Sequence, residues 1–118
     1  MDKVFMDDIR ESPGDHHLVR TAEDCIAILK TDVSLNHLSL DHDLGTDMKN
    51  GFEVVQYMID HRRYAERITV HSANAPAGKR MYEALTEARR DGSFPYHVKI
   101  YLRPLPLDWK QHQQRLPV

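Results

Sequence analysis

In Leu38-Ser-Leu-Asp41-His42-Asp43-Leu44-Gly45, two carboxylates and an imidazole stand directly behind a short apolar run. The run is too brief for a helix and reads as a buried strand, which puts the ionisable residues at its C-terminal mouth. The same step from apolar to polar recurs three times. Val4-Phe-Met6 runs into Asp7-Asp8-Ile9-Arg10, Ile68-Thr-Val70 into His71-Ser72-Ala73-Asn74, and Ile100-Tyr-Leu102 into Arg103-Pro104. If these strands are parallel, all four polar ends lie on one edge of a sheet, the edge where open α/β sheets bind ligands.

Asp7, Asp8, Asp41 and Asp43 then stand close together. Two carboxylates ~4 Å apart repel by about 4 kcal/mol at an effective dielectric of ~20, so the group needs a cation or shared protons. Hard oxygen ligands at a loop-lined rim favour Mg²⁺, and His42 and His71 make Mn²⁺ competitive. An N-cap or loop role is the competing account of any one of these acids and a poorer account of all four. Arg10 and Arg103 are candidates to hold phosphate oxygens in a bidentate fork; ion pairs with the aspartates are the alternative. Ser72 and Asn74 offer neutral hydrogen bonds to the same oxygens, or cap the helix that follows. His42 and His71 are the acid/base candidates near neutral pH. His16, His17, His37, His61, His97 and His112 lack such a context and read as surface or packing residues.

Positioning these groups takes alternating elements. After Val4–Met6 comes a turn cluster, Ser12-Pro-Gly-Asp15, and a weak strand over 17–20. Thr21 has the character of an N-cap, and Ala22, Cys25, Ile26 and Leu29 follow at helical spacing. A strand over 36–41 leads through a polar loop to a helix whose inner stripe is Phe52, Val55, Met58 and Ile59. A strand over 67–70 is followed by a helix with Pro76 in its first turn, buried through Met81, Ala84, Leu85 and Ala88 and closed by Asp91-Gly92. The last strand spans 97–102, and residues 108–115 suit a short terminal helix. This order calls for a parallel sheet with right-handed crossovers, and strands without a polar face suggest cover on both sides.

The chain has 118 residues, which fits one domain spanning 1–118. Its net charge of −2, with both signs interspersed, argues against a general polyanion binder and leaves room for a small phosphate ligand. An open crevice with small neighbours suits such a ligand better than duplex nucleic acid. No apolar run is long enough to span a membrane, and no secretory signal is evident. The one cysteine, Cys25, excludes an internal disulfide framework and fits a reducing, cytoplasmic compartment. His42-Asp43 spells the dipeptide of the metal-dependent HD phosphohydrolases, but those carry it on helices, whereas here it follows a strand.

Taken together, the motifs resemble the receiver domains of two-component response regulators. Asp7 and Asp8 match the acidic pair that binds Mg²⁺ in that family. Asp41 matches the phospho-acceptor, and Asp43 the position whose main chain meets the metal. Asn50-Gly51 stands where receivers carry Asp-Gly, Ser72-Ala73 matches their Thr/Ser-Ala, and Arg103-Pro104 their Lys-Pro. The resemblance implies a receiver/flavodoxin-like α/β fold: a five-stranded parallel sheet in the order 2-1-3-4-5 with helices on both faces. The usual first helix cannot fit between Asp8 and His17 and is replaced by the Glu11–His16 loop. Arg103 in place of lysine, together with the extra His42 and His71, makes the chain similar to a divergent branch, the cyclic-phosphate-processing receiver-like domains of bacteria and phages. That resemblance implies a metal-dependent phosphoesterase acting on a cyclic phosphate of a nucleotide or RNA end, in a nucleotide-signalling or defence setting. Asp7, Asp8, Asp41 and Asp43 would hold the metal, His42, His71 and Asp41 would carry the chemistry, and Arg10, Ser72, Asn74 and Arg103 would bind phosphate. The alternatives are a signalling module phosphorylated at Asp41 and a protein that binds a cyclic nucleotide without turning it over.

Overall fold

Each strand of the sheet alternates between a face sealed by helices and a face that carries the site. The computed structural model describes residues 2–44 and 49–103. Strands β1 (Lys3–Met6), β2 (His17–Val19), β3 (Leu35–Leu40), β4 (Ala65–Val70) and β5 (Lys99–Leu102) form one sheet in the order β2-β1-β3-β4-β5. Every pairing is parallel, and the order is the one the receiver resemblance implies.

Helices α1 (Ala22–Leu29), α2 (Gly51–His61) and α3 (Ala75–Arg90) make the crossovers β2 to β3, β3 to β4 and β4 to β5. All three crossovers step the same way across the sheet, so right-handed connections place the three helices on one face. There α1 packs on α2, and α2 on α3. Val4, Met6, Leu38, Leu40, Ile68 and Val70 point into this layer and are fully buried. Cover on both faces was the expectation, but among the described residues no helix lies on the other side. Residues 9–16 contain turns and no helix, as the spacing required. The expected helix over 108–115 lies outside the described residues.

Local chemistry sets the helix ends. Thr21 accepts a hydrogen bond from the Asp24 amide (3.0 Å), Asn50 from Phe52 (2.8 Å) and Asn74 from Ala77 (3.2 Å), each satisfying a donor the helix leaves open. At the far end of α1 the Arg63 guanidinium donates to the carbonyls of Leu29 and Thr31. The inner stripe of α2 is Val54, Val55 and Met58, with Phe52 and Ile59 only half-buried. Cys25 is buried on α1, and burial with the neighbouring Asp24 charge pushes its thiol up to about 12, as befits an inert core residue.

The loop that stands in for the first helix is fastened to the open face by histidines. Asp15 accepts from His16 Nδ1 (2.7 Å), His16 Nε2 and His37 Nδ1 share a hydrogen across 2.8 Å, and His37 Nε2 meets Thr69 Oγ1 at 2.8 Å. Desolvation, followed by the charges of Arg67, His16 and Lys3, lowers His37 to about 4, with Asp15 opposing. A histidine depressed in the folded state binds fewer protons there than in the unfolded chain. Its contribution to stability is therefore whole above the unfolded pKa of ~6.5 and declines as pH falls from there toward 4. The urea midpoint should drop between pH 7.5 and pH 5, and His37→Asn should flatten that slope; an unchanged slope would assign the loss to other groups.

Candidate metal centre

The four strand ends seen in the sequence meet in one row. Asp7 N donates to Val19 O (3.1 Å), Asp41 N to Met6 O (3.0 Å), His71 N to Leu40 O (2.9 Å) and Arg103 N to Val70 O (2.8 Å). Each residue thus continues the parallel ladder one step beyond its strand. By alternation their side chains project on the face away from the helices, alongside Phe5, Ser39, Thr69 and Tyr101 of the preceding row.

Asp7, Asp8 and Asp41 form the cluster, with one carboxylate oxygen from each lying within 4.8 Å of the others. Asp7 and Asp41 are buried. Burial raises the Asp7 carboxyl, but a hydrogen bond from His71, the amides of Arg10 and Ile9 and the Arg10 guanidinium outweigh it. Asp7 is thereby held well below the usual carboxylate range. Arg10 Nη1 donates to Asp7 Oδ2 (2.6 Å) and lies 3.7 Å from Asp41 Oδ2. Three carboxylates and one guanidinium leave two negative charges, the complement of a divalent cation. Asp8 Oδ1 is buried and has no hydrogen-bond partner among the described residues, a costly condition for a carboxylate oxygen unless something binds it. This all-oxygen donor set with an orphaned oxygen fits Mg²⁺ or Mn²⁺.

The remaining candidates divide. Buried Arg10 takes up the ion pair with the aspartates, the alternative to phosphate binding. Ser72 is buried, and its Oγ accepts from the Asn74 amide (3.1 Å), a turn at the start of α3. Arg103 is exposed, with its guanidinium carbon 5.7 Å from the centroid of the Tyr101 ring. The Asp43 carboxylate lies outside the three-acid group and is 56% exposed. It accepts from His42 Nδ1 (2.6 Å) and from Asn74 Nδ2 (3.4 Å). His71 is buried between Ser39 Oγ (2.6 Å from Nδ1) and Asp7 Oδ2 (3.1 Å from Nε2), with Phe5 stacked on its ring at 4.4 Å. Both of its nitrogens are engaged, so the geometry supports orienting Asp7 more than exchanging protons with a ligand.

Sequence reasoning gave no site role to four residues that hold it together. Arg20 Nη1 donates to the carbonyls of Asp7 and Arg10, holding the turn that carries the acids. Ser39 is the buried partner of His71, and His37 with His16 ties down the neighbouring loop. A serine inside the apolar run Leu38-Ser39-Leu40 was the available signal, because a buried hydroxyl needs a partner.

The parallel sheet in this order, with acids at its mouth, defines a receiver-type α/β protein. A family model described as the cyclic-phosphate processing receiver domain matches residues 2–87, and the chain belongs to that family. Its role is accordingly one connected with cyclic phosphates. Comparison with curated proteins and with solved structures finds no match. Among the described residues no helix is long and apolar enough to cross a membrane.

Proposed function

We propose that the protein is a metal-dependent phosphoesterase that opens a cyclic phosphate of a nucleotide or RNA end, in a bacterial or phage nucleotide-signalling or defence setting. The observation that carries the reading is the acid cluster with its orphaned Asp8 oxygen, beside a histidine braced by a carboxylate, in a family that processes cyclic phosphates. Asp7, Asp8 and Asp41 would hold the cation, which supplies Lewis-acid polarisation of the phosphoryl oxygens and neutralises their charge.

The chain's own residues supply the rest. His42 takes a proton from water as the new P–O bond forms. It returns that proton to the ribose oxygen as the ring P–O bond breaks, leaving a phosphomonoester. The Arg10 guanidinium holds Asp7 and Asp41 close together. Arg103, exposed on the same row, meets the outer phosphate oxygens.

The test is turnover of a panel of 2′,3′- and 3′,5′-cyclic nucleotides with Mg²⁺ or Mn²⁺. Wild type should hydrolyse at least one of them, and His42→Ala should lose about a hundredfold or more in kcat with cation binding retained. Tight binding without turnover would make the protein a sequestering one. Labelling of Asp41 by acetyl phosphate, with no cyclic phosphate bound or cleaved, would replace the reading by a signalling receiver.

A further inference from the structure

The two histidines at the mouth hold their partners through opposite nitrogens. Asp43 carries only acceptor oxygens, so His42 must place its proton on Nδ1, the atom 2.6 Å from Asp43 Oδ1. Asp7 likewise accepts from His71, which puts the His71 proton on Nε2, and Nδ1 then accepts from the Ser39 hydroxyl. Asp43 is itself steadied by the Asn74 amide, whose oxygen caps α3, so the brace on His42 is tied to a helix end.

We infer that Asp43 is the positioning residue of the site: it fixes His42 in the Nδ1–H tautomer, so that the Nε2 lone pair is the one offered to the reacting phosphate. Histidines at metal and catalytic centres commonly owe their tautomer to such a partner. In the neighbouring His71 the same logic runs the other way, and its proton-bearing Nε2 serves Asp7. The acid next to the metal ligands thus acts through an imidazole and not on the cation. The role assigned to Asp43 rests on the phosphoesterase reading; the tautomer does not.

Two measurements on the full chain separate them. In a two-bond ¹H–¹⁵N correlation spectrum of metal-free ¹⁵N-labelled protein at pH 8, His42 should show the Nδ1–H pattern and His71 the Nε2–H pattern. Asp43→Asn and Asp43→Ala should return His42 toward the Nε2–H form that free imidazole side chains prefer, leaving His71 unchanged. With a hydrolysed 2′,3′-cyclic nucleotide, Asp43→Ala should lower kcat roughly ten- to a hundredfold at near-constant KM and unchanged Mg²⁺ affinity, with partial recovery in Asp43→Glu. An Nε2–H pattern for His42 in the wild type overturns the inference whatever the enzyme does. So does a loss of Mg²⁺ affinity with kcat intact, which would return Asp43 to the cation. Absence of turnover in wild type would fail the phosphoesterase reading alone, and the tautomer would still decide the geometry.

Discussion

Asp8→Asn should stabilise the metal-free protein and at the same time abolish its response to Mg²⁺. The opposite signs follow from one fact, that three carboxylate oxygens crowd within 4.8 Å. At an effective dielectric of ~20 each such pair repels by about 3.5 kcal/mol, of which Arg10 offsets only part. Neutralising Asp8 relieves that repulsion, and an amide that finds no partner costs less than a carboxylate in the same position. The cation loses both a ligand and the charge that draws it. Wild type should melt at a higher temperature in millimolar Mg²⁺ than in chelator, by the mass action of a ligand that binds only the folded state. Asp8→Asn should melt above wild type in chelator, gain nothing from Mg²⁺, and turn over cyclic phosphate about a thousandfold more slowly. A variant that still rises with Mg²⁺ would remove Asp8 from the coordination shell.

Gly51→Ala should be the most damaging alanine substitution among the described glycines. A Cβ there would sit 2.1 Å from the Asp41 carbonyl oxygen and 2.9 Å from the His42 Cα, both backbone atoms that cannot swing aside. Gly51 N also donates to the His42 carbonyl (2.8 Å), so α2 begins directly against the segment that bears the acid and the histidine. Insertion into so tight a contact costs ~3 kcal/mol or more, and relief would come only by displacing Asp41 from the row. Loss of stability and of cation binding should therefore appear together in urea and calorimetric titrations. Gly14→Ala is the control, since nothing lies within 4 Å of its added carbon, and it should change stability by no more than about 0.5 kcal/mol. Retained Mg²⁺ affinity in Gly51→Ala would show that the mouth tolerates a shifted helix.

Much of this arrangement was legible because the strand code is local. Apolar triplets ending in Asp7, Asp41, His71 and Arg103 announce both the strands and their common direction, and the ladder bonds place all four in one row. The capping residues Thr21, Asn50 and Asn74 were equally readable, since a cap acts within two or three positions. What stayed hidden depends on contacts across the sheet. The 64-residue separation of His71 from Asp7, and of 32 residues from Ser39, gives no spacing to read. His71 therefore looked like an acid/base candidate and not a brace. The Asp43 carboxylate was unassigned for the opposite reason: the resemblance gives that position to the metal through its main chain, and only the structure shows the side chain paired with its sequence neighbour His42. The expectation of cover on both faces came from apolar strand cores and from the receiver resemblance, and the described residues account for the helices of one face. The Phe5-Ser39-Thr69-Tyr101 row shows the mixed character of the second face once the register is known.

That register also makes the site a monitor of strand pairing. A slip of one residue in any strand would turn its member of the Asp7-Asp41-His71-Arg103 row toward the buried helical layer. Asp7, Asp8 and Asp41 come from two adjacent strands, and Asp7 is braced by His71 from a third, so only the native pairing assembles them. A cation captured there would withdraw chains from mispaired alternatives as they fold, giving the ion a part in quality control that precedes any chemistry it performs.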